Sequence, residues 1–175
     1  MIHFPIPVLG FAAHSGTGKT SLLEKIIPLL NAHGLRVAVI KHSHHAIQLD
    51  KEGKDSYRLS QAGADAVLLA CPNSLALQVR HRQPVEPCLS EALRLLRSED
   101  YDLVLVEGFR DESFAKIEIY RALAARPGRG RLYQHDKNII AVVTDQAIVD
   151  TPLPVIPLND TPAVAAFVLS FISNH

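Results

Sequence analysis

The sequence predicts an α/β fold, in which a mostly parallel sheet carries helices on both faces. Short apolar segments, each suited to one buried strand, alternate along the chain with segments of helical periodicity. The predicted strands of this sheet are 8–12, 36–41, 103–107, 139–143 and a brief 155–156. Strands that alternate with helices pair in parallel, because each helix returns the chain to the same end of the sheet.

Three further segments are candidate edge strands. Residues 66–70 and 75–79 predict two strands joined across Pro72-Asn73, and the second is followed by Arg80-His81-Arg82. Charge of this kind is typical of a sheet edge. Residues 117–120 alternate apolar and polar side chains, so we expect them at an edge as well. Antiparallel edge strands are therefore compatible with the predicted sheet.

The helices are indicated by periodicity and by their ends. The first helix follows residue 20, and Pro28 predicts a kink or an early end because proline lacks the backbone donor. Residues 55–62 and 90–97 predict two short helices. The last helix begins at an N-cap supplied by Asp160 or Thr161.

Composition excludes several classes of protein. The 175 residues fit one domain, and 18 basic against 18 acidic residues give no net charge, which argues against a nucleic-acid partner. The two cysteines lack the spacing of a zinc site or a disulfide framework, as expected in a reducing cytoplasm. Neither a leader nor a membrane-spanning segment is recognisable. We expect a soluble, cytoplasmic domain without a membrane partner.

The segment Ala-His-Ser-Gly-Thr-Gly-Lys-Thr at 13–20 follows a predicted strand and leads into a helix. This order is that of the phosphate-binding P-loop, although the strict pattern begins with Gly and this chain has Ala13. Backbone N–H groups and the helix dipole would bind phosphates there, with Lys19 reaching the β- and γ-phosphates. The predicted domain is thus a P-loop nucleotide-binding domain over 1–175. Its nucleotide-binding residues are Ser15, Gly16, Thr17, Gly18, Lys19, Thr20 and Ser21.

The sequence also predicts a magnesium site. The Thr20 hydroxyl would ligate Mg²⁺, and Glu107, at the end of an apolar strand, is placed like a Walker-B acid. Glu107 would hold the ion directly or through water, or polarise an attacking water, which makes it and Lys19 the candidate catalytic residues. Asp55, in the mixed-charge segment 50–56, could approach the ion, although a solvated loop is the alternative.

The carboxyl ends of parallel strands meet at one edge, so we expect 13–20, 41–45, 107–110 and 144–145 on one rim. Three histidines in 42–45 leave solvated, phosphate-binding and metal-binding interpretations open, with Lys41 favouring phosphate.

Two charged residues on this rim have open interpretations. Arg110 offsets phosphate charge or is a surface residue. Asp145 accepts hydrogen bonds from guanine N1–H and the 2-amino group, or forms a turn.

Together these motifs resemble the molybdopterin-guanine dinucleotide biosynthesis protein B family. The resemblance rests on 11–20, 40–45, 50–57, 103–109 and 115–117. It implies a homodimeric protein with weak GTPase activity that binds GTP and Mg²⁺. It further implies a role beside the guanylyltransferase that attaches GMP to molybdenum cofactor, with molybdopterin or the cofactor itself as a possible ligand. The family's phosphate loop carries over onto Gly16–Thr20, and its acidic residue onto Glu107.

Three alternatives remain. A small-molecule kinase would use 42–56 as an acceptor pocket, and a metallochaperone GTPase would use His42, His44 and His45. A non-catalytic adaptor would use nucleotide only to set the conformation offered to a partner. The segment 121–135 matches no pattern, and its glycine- and arginine-rich part, 124–130, predicts a flexible loop.

Overall fold

The computed structural model describes residues 2–43, 53–122, 130–148 and 150–174. The chain divides into two compact units. The larger unit comprises Met1–His42 and Cys88–His175, and the smaller comprises Ser43–Pro87. The strands are β1 (Val8–Ala12), β2 (Val37–Lys41), β3 (Ala66–Cys71), β4 (Ser74–Val79), β5 (Leu103–Glu107), β6 (Lys116–Tyr120), β7 (Ile139–Thr144) and β8 (Val155–Pro157). The helices are α1 (Lys19–Ala32), α2 (Asp55–Gln61), α3 (Leu89–Arg94) and α4 (Thr161–Ser173).

The larger unit is built on a six-stranded sheet in the order β2-β5-β1-β6-β7-β8. Every neighbouring pair is parallel, so all six strands end at the same edge. The predicted rim is therefore confirmed for 13–20, 41–42, 107–110 and 144–145. His44 and His45 lie outside the described residues, and Ser43 belongs to the smaller unit.

Helices cover both faces of this sheet, as predicted. On one face α1 and α4 pack against side chains from β1, β5, β6 and β7, and this layer forms the main core. On the other face α3 and the N-terminal segment pack against β2 and β5. Representative core residues are Phe11, Ile26, Leu105, Ile117 and Val168 on the first face, and Val104, Val106, Leu89 and Leu93 on the second.

The prediction that 117–120 lies at an edge is wrong. Strand β6 lies inside the sheet, between β1 and β7. Its alternation does not separate a buried face from a solvated one, because Lys116 and Glu118 are as buried as Ile117 and Ile119. Polar partners supplied by distant loops make this burial possible, and they are described with the site below.

The smaller unit contains α2 and an antiparallel pair, β3 and β4, joined across Pro72-Asn73 as predicted. The prediction that these strands form an edge of the parallel sheet is wrong, because they pair with each other in a two-stranded sheet of their own. Helix α2 ends near Gly63, whose φ of +107° is a left-handed conformation suited to a helix C-terminus. The hairpin exposes several large apolar side chains, among them Leu75 at 73 %. Such exposure is unusual for a strand pair that carries no partner.

The helix predictions are confirmed except at some ends. Helix α1 does not end early but continues through Pro28, which is exposed, so water can reach the carbonyl that the missing donor leaves free. Helix α3 ends at Arg94 and is shorter than the predicted 90–97, and a separate 3₁₀ turn, Ser98–Asp100, follows after three residues. Asp160 caps α4, its carboxylate accepting the Ala163 N–H at 3.0 Å. None of the described helices is long and apolar enough to cross a membrane.

Candidate functional site

The loop between β1 and α1 has the backbone of a phosphate cradle. Gly16 and Gly18 adopt φ values of +83° and +91°, which residues with a Cβ rarely adopt. The buried Thr17 hydroxyl donates to the His14 carbonyl at 2.9 Å and fixes the loop. Gly18 is the N-cap of α1 and has no side chain to accept the first-turn N–H groups, which therefore remain available to an anion.

Lys19 opens α1 in a half-buried position. Its Nζ lies 3.4 Å from the Ala13 carbonyl oxygen, so the side chain folds back over the loop. Burial lowers the pKa of Lys19, Glu107 raises it, and the cations Lys41 and Arg110 lower it further. These four charged side chains therefore act within one electrostatic environment, and the predicted proximity of Arg110 to the loop is consistent with this.

The predicted metal pair, Thr20 and Glu107, comes together. The Thr20 hydroxyl lies 2.9 and 3.0 Å from the two Glu107 carboxylate oxygens, which accept its hydrogen bond. Lys41 Nζ donates to Thr20 Oγ1 at 3.0 Å and lies 3.3 Å from Glu107 Oε2. The Glu107 side chain is only 10 % exposed. A hydroxyl and a carboxylate beside a phosphate loop are the oxygen ligands that Mg²⁺ prefers, so this pair fits the ion.

A tight turn after β5 holds Glu107 in place. Gly108 and Phe109 both have left-handed φ values, +103° and +49°. A Cβ on Gly108 would lie 2.6 Å from His42 Cβ, so this position has room only for glycine. The His42 ring stacks on Phe109 at 4.7 Å, and the His42 N–H donates to the Glu107 carbonyl at 2.8 Å. His42 thus has a structural role in joining the ends of β2 and β5.

The other predicted ligands are exposed. Ser15 in the loop and Ser21 in the first turn of α1 are exposed. Asp55 belongs to the smaller unit, where its carboxylate lies 3.5 Å from Arg58 on α2. Among the residues that the structure describes, no three His, Cys, Asp or Glu side chains converge into a metal site.

Asp145 lies on the opposite side of β1 from Glu107, at the end of β7. Its Oδ1 accepts the Ala122 N–H at 3.0 Å, and Arg121 Nε lies 3.8 Å from its Oδ2. A cavity of about 390 Å³ opens beside it. The lining residues are Thr144, Asp145, Gln146, Ala147, Val155, Pro157, Leu158 and Asn159.

Arg121 is a site residue that the sequence did not single out. It follows β6, and its Nη1 would lie 3.9 Å from a Cβ built on Gly18. This neighbourhood depends on β6 pairing directly with β1, which no local pattern around Arg121 indicates. Half of the rest of the segment that matched no pattern, 123–129, lies outside the described residues.

The two buried charges of β6 support the loops around the site. Lys116 Nζ lies 2.8 Å from Asp136 Oδ2 and donates to the Arg110 and Glu112 carbonyls, the first at 2.9 Å. Since Arg110 and Glu112 follow the turn after β5, Lys116 fixes the segment next to Glu107. Sequence reasoning missed this role, although a lysine within a strand of buried residues is itself a signal for one.

Glu118 performs a similar task on the other side. Its carboxylate accepts the N–H groups of Leu132 and Tyr133, both at 2.8 Å. Burial raises the pKa of Glu118, while these two hydrogen bonds and the nearby His14 and Arg131 lower it. The strand thereby anchors the chain that returns from the rim to β7.

Comparison with known proteins assigns the chain to a family. The family model described as molybdopterin guanine dinucleotide synthesis protein B matches residues 8–145. The chain belongs to this family. The matched range includes the phosphate loop, Glu107 and Asp145, and the resemblance drawn from the motifs is thus confirmed.

Curated relatives agree with this assignment. The molybdopterin-guanine dinucleotide biosynthesis adapter protein of Escherichia coli is 40 % identical over 170 residues, covering 97 % of this chain and 95 % of its own length. The protein of that name from Haemophilus influenzae is 40 % identical over 168 residues, covering 95 % of this chain and 90 % of its own.

Solved structures share the fold. A crystal structure of molybdopterin-guanine biosynthesis protein B has a TM-score of 0.71 at 28 % identity, covering 94 % of this chain and 99 % of the other. A MobB homologue from Bacillus stearothermophilus has a TM-score of 0.72 at 24 % identity, with 96 % and 99 % covered, and supports the fold alone. The predicted α/β fold with a mostly parallel sheet is thereby confirmed.

Proposed function

We propose that the chain is a GTP-binding adapter of molybdopterin-guanine dinucleotide biosynthesis, with slow intrinsic GTPase activity. The observation that carries the proposal is the contact of Thr20 with Glu107 beside an uncapped helix N-terminus. The relatives named above are adapter proteins of this pathway. A nucleotide site of this kind would let such an adapter respond to GTP.

The phosphates would bind on the loop from Ser15 to Ser21. The left-handed Gly16 and Gly18 let the backbone approach the anion closely, and the first-turn N–H groups of α1 point toward it. Lys19 adds a half-buried ammonium, whose attraction for phosphate is strengthened by the reduced exposure to water. Lys41 and Arg110 add further positive charge, which a polyphosphate would neutralise.

Thr20 and Glu107 would hold Mg²⁺ beside the β- and γ-phosphates. When bound, the ion supplies charge neutralisation on the phosphate oxygens. Lys41 now occupies the space next to both ligands, so its ammonium would have to move toward the phosphates as the ion enters. The exposed half of the Lys41 side chain leaves it room to do so. A role for Asp55 at this ion remains a prediction.

Guanine would bind in the cavity at the ends of β7 and β8. Its volume of about 390 Å³ suits one base, and Asp145 lines it. Although Asp145 Oδ1 accepts the Ala122 N–H, a carboxylate has about four acceptor sites, which leaves enough for the two guanine donors. Adenine lacks this donor pair, so Asp145 would favour GTP over ATP.

Hydrolysis would be slow in the isolated chain. Lys19 would stabilise charge on the transferring phosphoryl group, and Glu107 would orient or polarise the attacking water. Sequence reasoning finds no arginine finger in the loop itself, and such a residue contributes about 10³–10⁵ in rate where it exists. A partner protein could then stimulate turnover.

The partner proposed is the cytoplasmic guanylyltransferase that attaches GMP to molybdenum cofactor, with the pterin cofactor as a further candidate ligand. The homodimer implied by the family resemblance is supported by the exposed apolar side chains of the β3–β4 hairpin. Leu68, Leu75 and Val79 are 60, 73 and 51 % exposed, and a second copy would cover such a surface.

The test is a calorimetric titration of GTP and ATP with Mg²⁺ into the wild type and Lys19→Ala. We expect a preference for GTP, and binding roughly 100-fold weaker in Lys19→Ala because a charged contact to phosphate is lost. Lys25→Ala is the matched control, since Lys25 is an exposed lysine on the same helix. Unchanged affinity in Lys19→Ala would refute the phosphate loop.

The same titration on Asp145→Ala tests base recognition. We expect GTP to bind less tightly while ATP affinity stays the same, so that the preference disappears. Equal or tighter binding of ATP by the wild type would instead favour a small-molecule kinase and contradict the proposed GTP-binding adapter.

A further inference from the structure

We propose that Arg121 is a nucleotide-binding residue that contacts the phosphate nearest the nucleoside, a role that rests on the proposed function. Its Nη1 lies close to Gly18, the N-cap of α1, and its Nε lies 3.8 Å from Asp145 Oδ2. The guanidinium therefore stands between the phosphate loop and the cavity proposed for the base.

The sheet order gives this position its meaning. Strands β5 and β2 lie on one side of β1, and they place Glu107 and Lys41 at the proposed metal. Strands β6 and β7 lie on the other side of β1, and Arg121 and Asp145 follow their carboxyl ends on that side. A nucleotide whose terminal phosphates face Glu107 and whose base reaches Asp145 would pass its first phosphate in front of Arg121.

Electrostatics also indicate an anion at this point. The N-terminus of α1 carries the positive end of the helix dipole, which repels a cation. Lys19 adds a second positive charge in the following residue. The Asp145 carboxylate, 3.8 Å away, offsets part of this repulsion, and an anion between the guanidinium and α1 would offset the rest. The planar fork of the guanidinium matches two phosphate oxygens.

A purely structural role explains the geometry less well. Asp145 is already held by the Ala122 N–H at 3.0 Å, whereas its distance of 3.8 Å from Arg121 Nε exceeds hydrogen-bond range. The Arg121 side chain is also 42 % exposed, so it is free to turn toward a ligand. Asp145 thus does not need Arg121 for its orientation.

The test is the affinity of the full chain for GTP, GDP and ATP in the wild type, Arg121→Gln and Arg121→Lys. We expect Arg121→Gln to weaken all three by a similar factor of about 10 or more, because the lost contact is to a phosphate they share. Arg121→Lys should recover part of the loss, since lysine keeps the charge but not the fork. Arg94→Gln, an exposed arginine on α3, is the matched control.

A salt series separates a phosphate contact from a structural one. The affinity of the wild type should fall more steeply with salt than that of Arg121→Gln, because the variant has one charge fewer on the phosphates. A loss confined to GTP and GDP would show that Arg121 acts through Asp145 and would overturn the proposal. Unchanged affinity in Arg121→Gln would overturn it too.

The outcomes that would overturn the proposed function differ from those that would overturn only the role of Arg121. A wild-type chain that binds none of the three nucleotides overturns the proposed function and, with it, this role of Arg121. Normal wild-type binding with an unaltered Arg121→Gln overturns only the role of Arg121. Should Arg121→Gln not fold, the partial loss and the salt dependence expected of Arg121→Lys decide the question.

Discussion

Strands β2 and β5 are joined at both ends by a cation and a carboxylate, and the two ends differ in kind. At the amino end Arg36, just before β2, pairs with Asp102, just before β5. At the carboxyl end Lys41 pairs with Glu107. The same two neighbouring strands thus carry the same type of ion pair at each end, and the two ends have different surroundings.

In the amino-end pair, the hydrogen-bonding groups of Arg36 are already used within the protein. Arg36 donates from Nε and Nη2 to the two Asp102 oxygens at 3.0 and 2.8 Å, and its backbone N–H donates to Oδ2 at 2.8 Å. Its remaining guanidinium nitrogen donates to the Glu99 carbonyl at 3.0 Å. These hydrogen bonds lower the pKa of Asp102 to about 2. The pair fastens the strands and leaves little capacity for a ligand.

The carboxyl-end pair can exchange its contacts for contacts with a ligand. Lys41 is a point charge on a flexible stem, so it can exchange its partners more readily than the forked Arg36. Glu107 is nearly buried and shares Thr20 with Lys41 beside the phosphate loop. The two pairs differ because of their surroundings. The helix N-terminus and the glycine turn beside Lys41 and Glu107 make that pair a candidate site, whereas Arg36 and Asp102 only hold the two strands together.

The largest expected effect is that of Glu107→Gln. The amide is a weaker ligand than the carboxylate, so the tightening of GTP binding by Mg²⁺, of order 10- to 100-fold for one charged contact, should be lost together with hydrolysis. Titrations with and without Mg²⁺ and a phosphate-release assay measure both. Asp102→Asn is the control and should keep both properties. A Mg²⁺ dependence that survives in Glu107→Gln would remove the distinction between the two ends.

Gly108→Ala should destabilise the chain by about 2–4 kcal/mol, from the left-handed backbone together with the clash against His42. Gly34→Ala is the matched variant, since Gly34 has a φ of +82° but no atom within 4 Å of the added Cβ. It should cost only about 1–2 kcal/mol, which is the penalty of the left-handed backbone alone. Urea unfolding gives both values, and equal losses would contradict the close packing of the turn after Glu107.

The smallest effect is expected for Asp102→Asn, since its ion pair is largely exposed. Because the folded pKa of Asp102 is lowered from 3.8 to about 2, the ionised carboxylate stabilises the fold above about pH 4. That contribution is lost as the pH falls through about 2. The urea midpoint of the variant should therefore be slightly lower than that of the wild type at pH 7, and the two should converge near pH 2. A constant difference across this range would rule out the ionised pair as the cause.

Local sequence patterns were sufficient to predict the side of the site that contains Thr20 and Glu107. The apolar run that ends at Glu107 and the phosphate-loop segment predict β5 and the start of α1, because their signals lie within a few neighbouring residues. Thr20 and Glu107 could be paired in advance since parallel strands end at one edge.

The other side could not be predicted because it depends on contacts between distant residues. The alternation in β6 indicated an edge, yet Asp136 pairs with Lys116 while Leu132 and Tyr133 donate to Glu118. Likewise Arg121 joins the phosphate loop only because β6 is the neighbour of β1. Strand order is a property of the whole sheet, and no segment of the chain encodes it alone.

The most direct test of the difference between the two ends is amide hydrogen exchange with and without GTP and Mg²⁺. We expect slower exchange at 15–21 and 107–109 on adding nucleotide, and unchanged exchange around Arg36 and Asp102. Equal protection at both ends, or protection only around Arg36 and Asp102, would contradict the assignment of the carboxyl end as the nucleotide site.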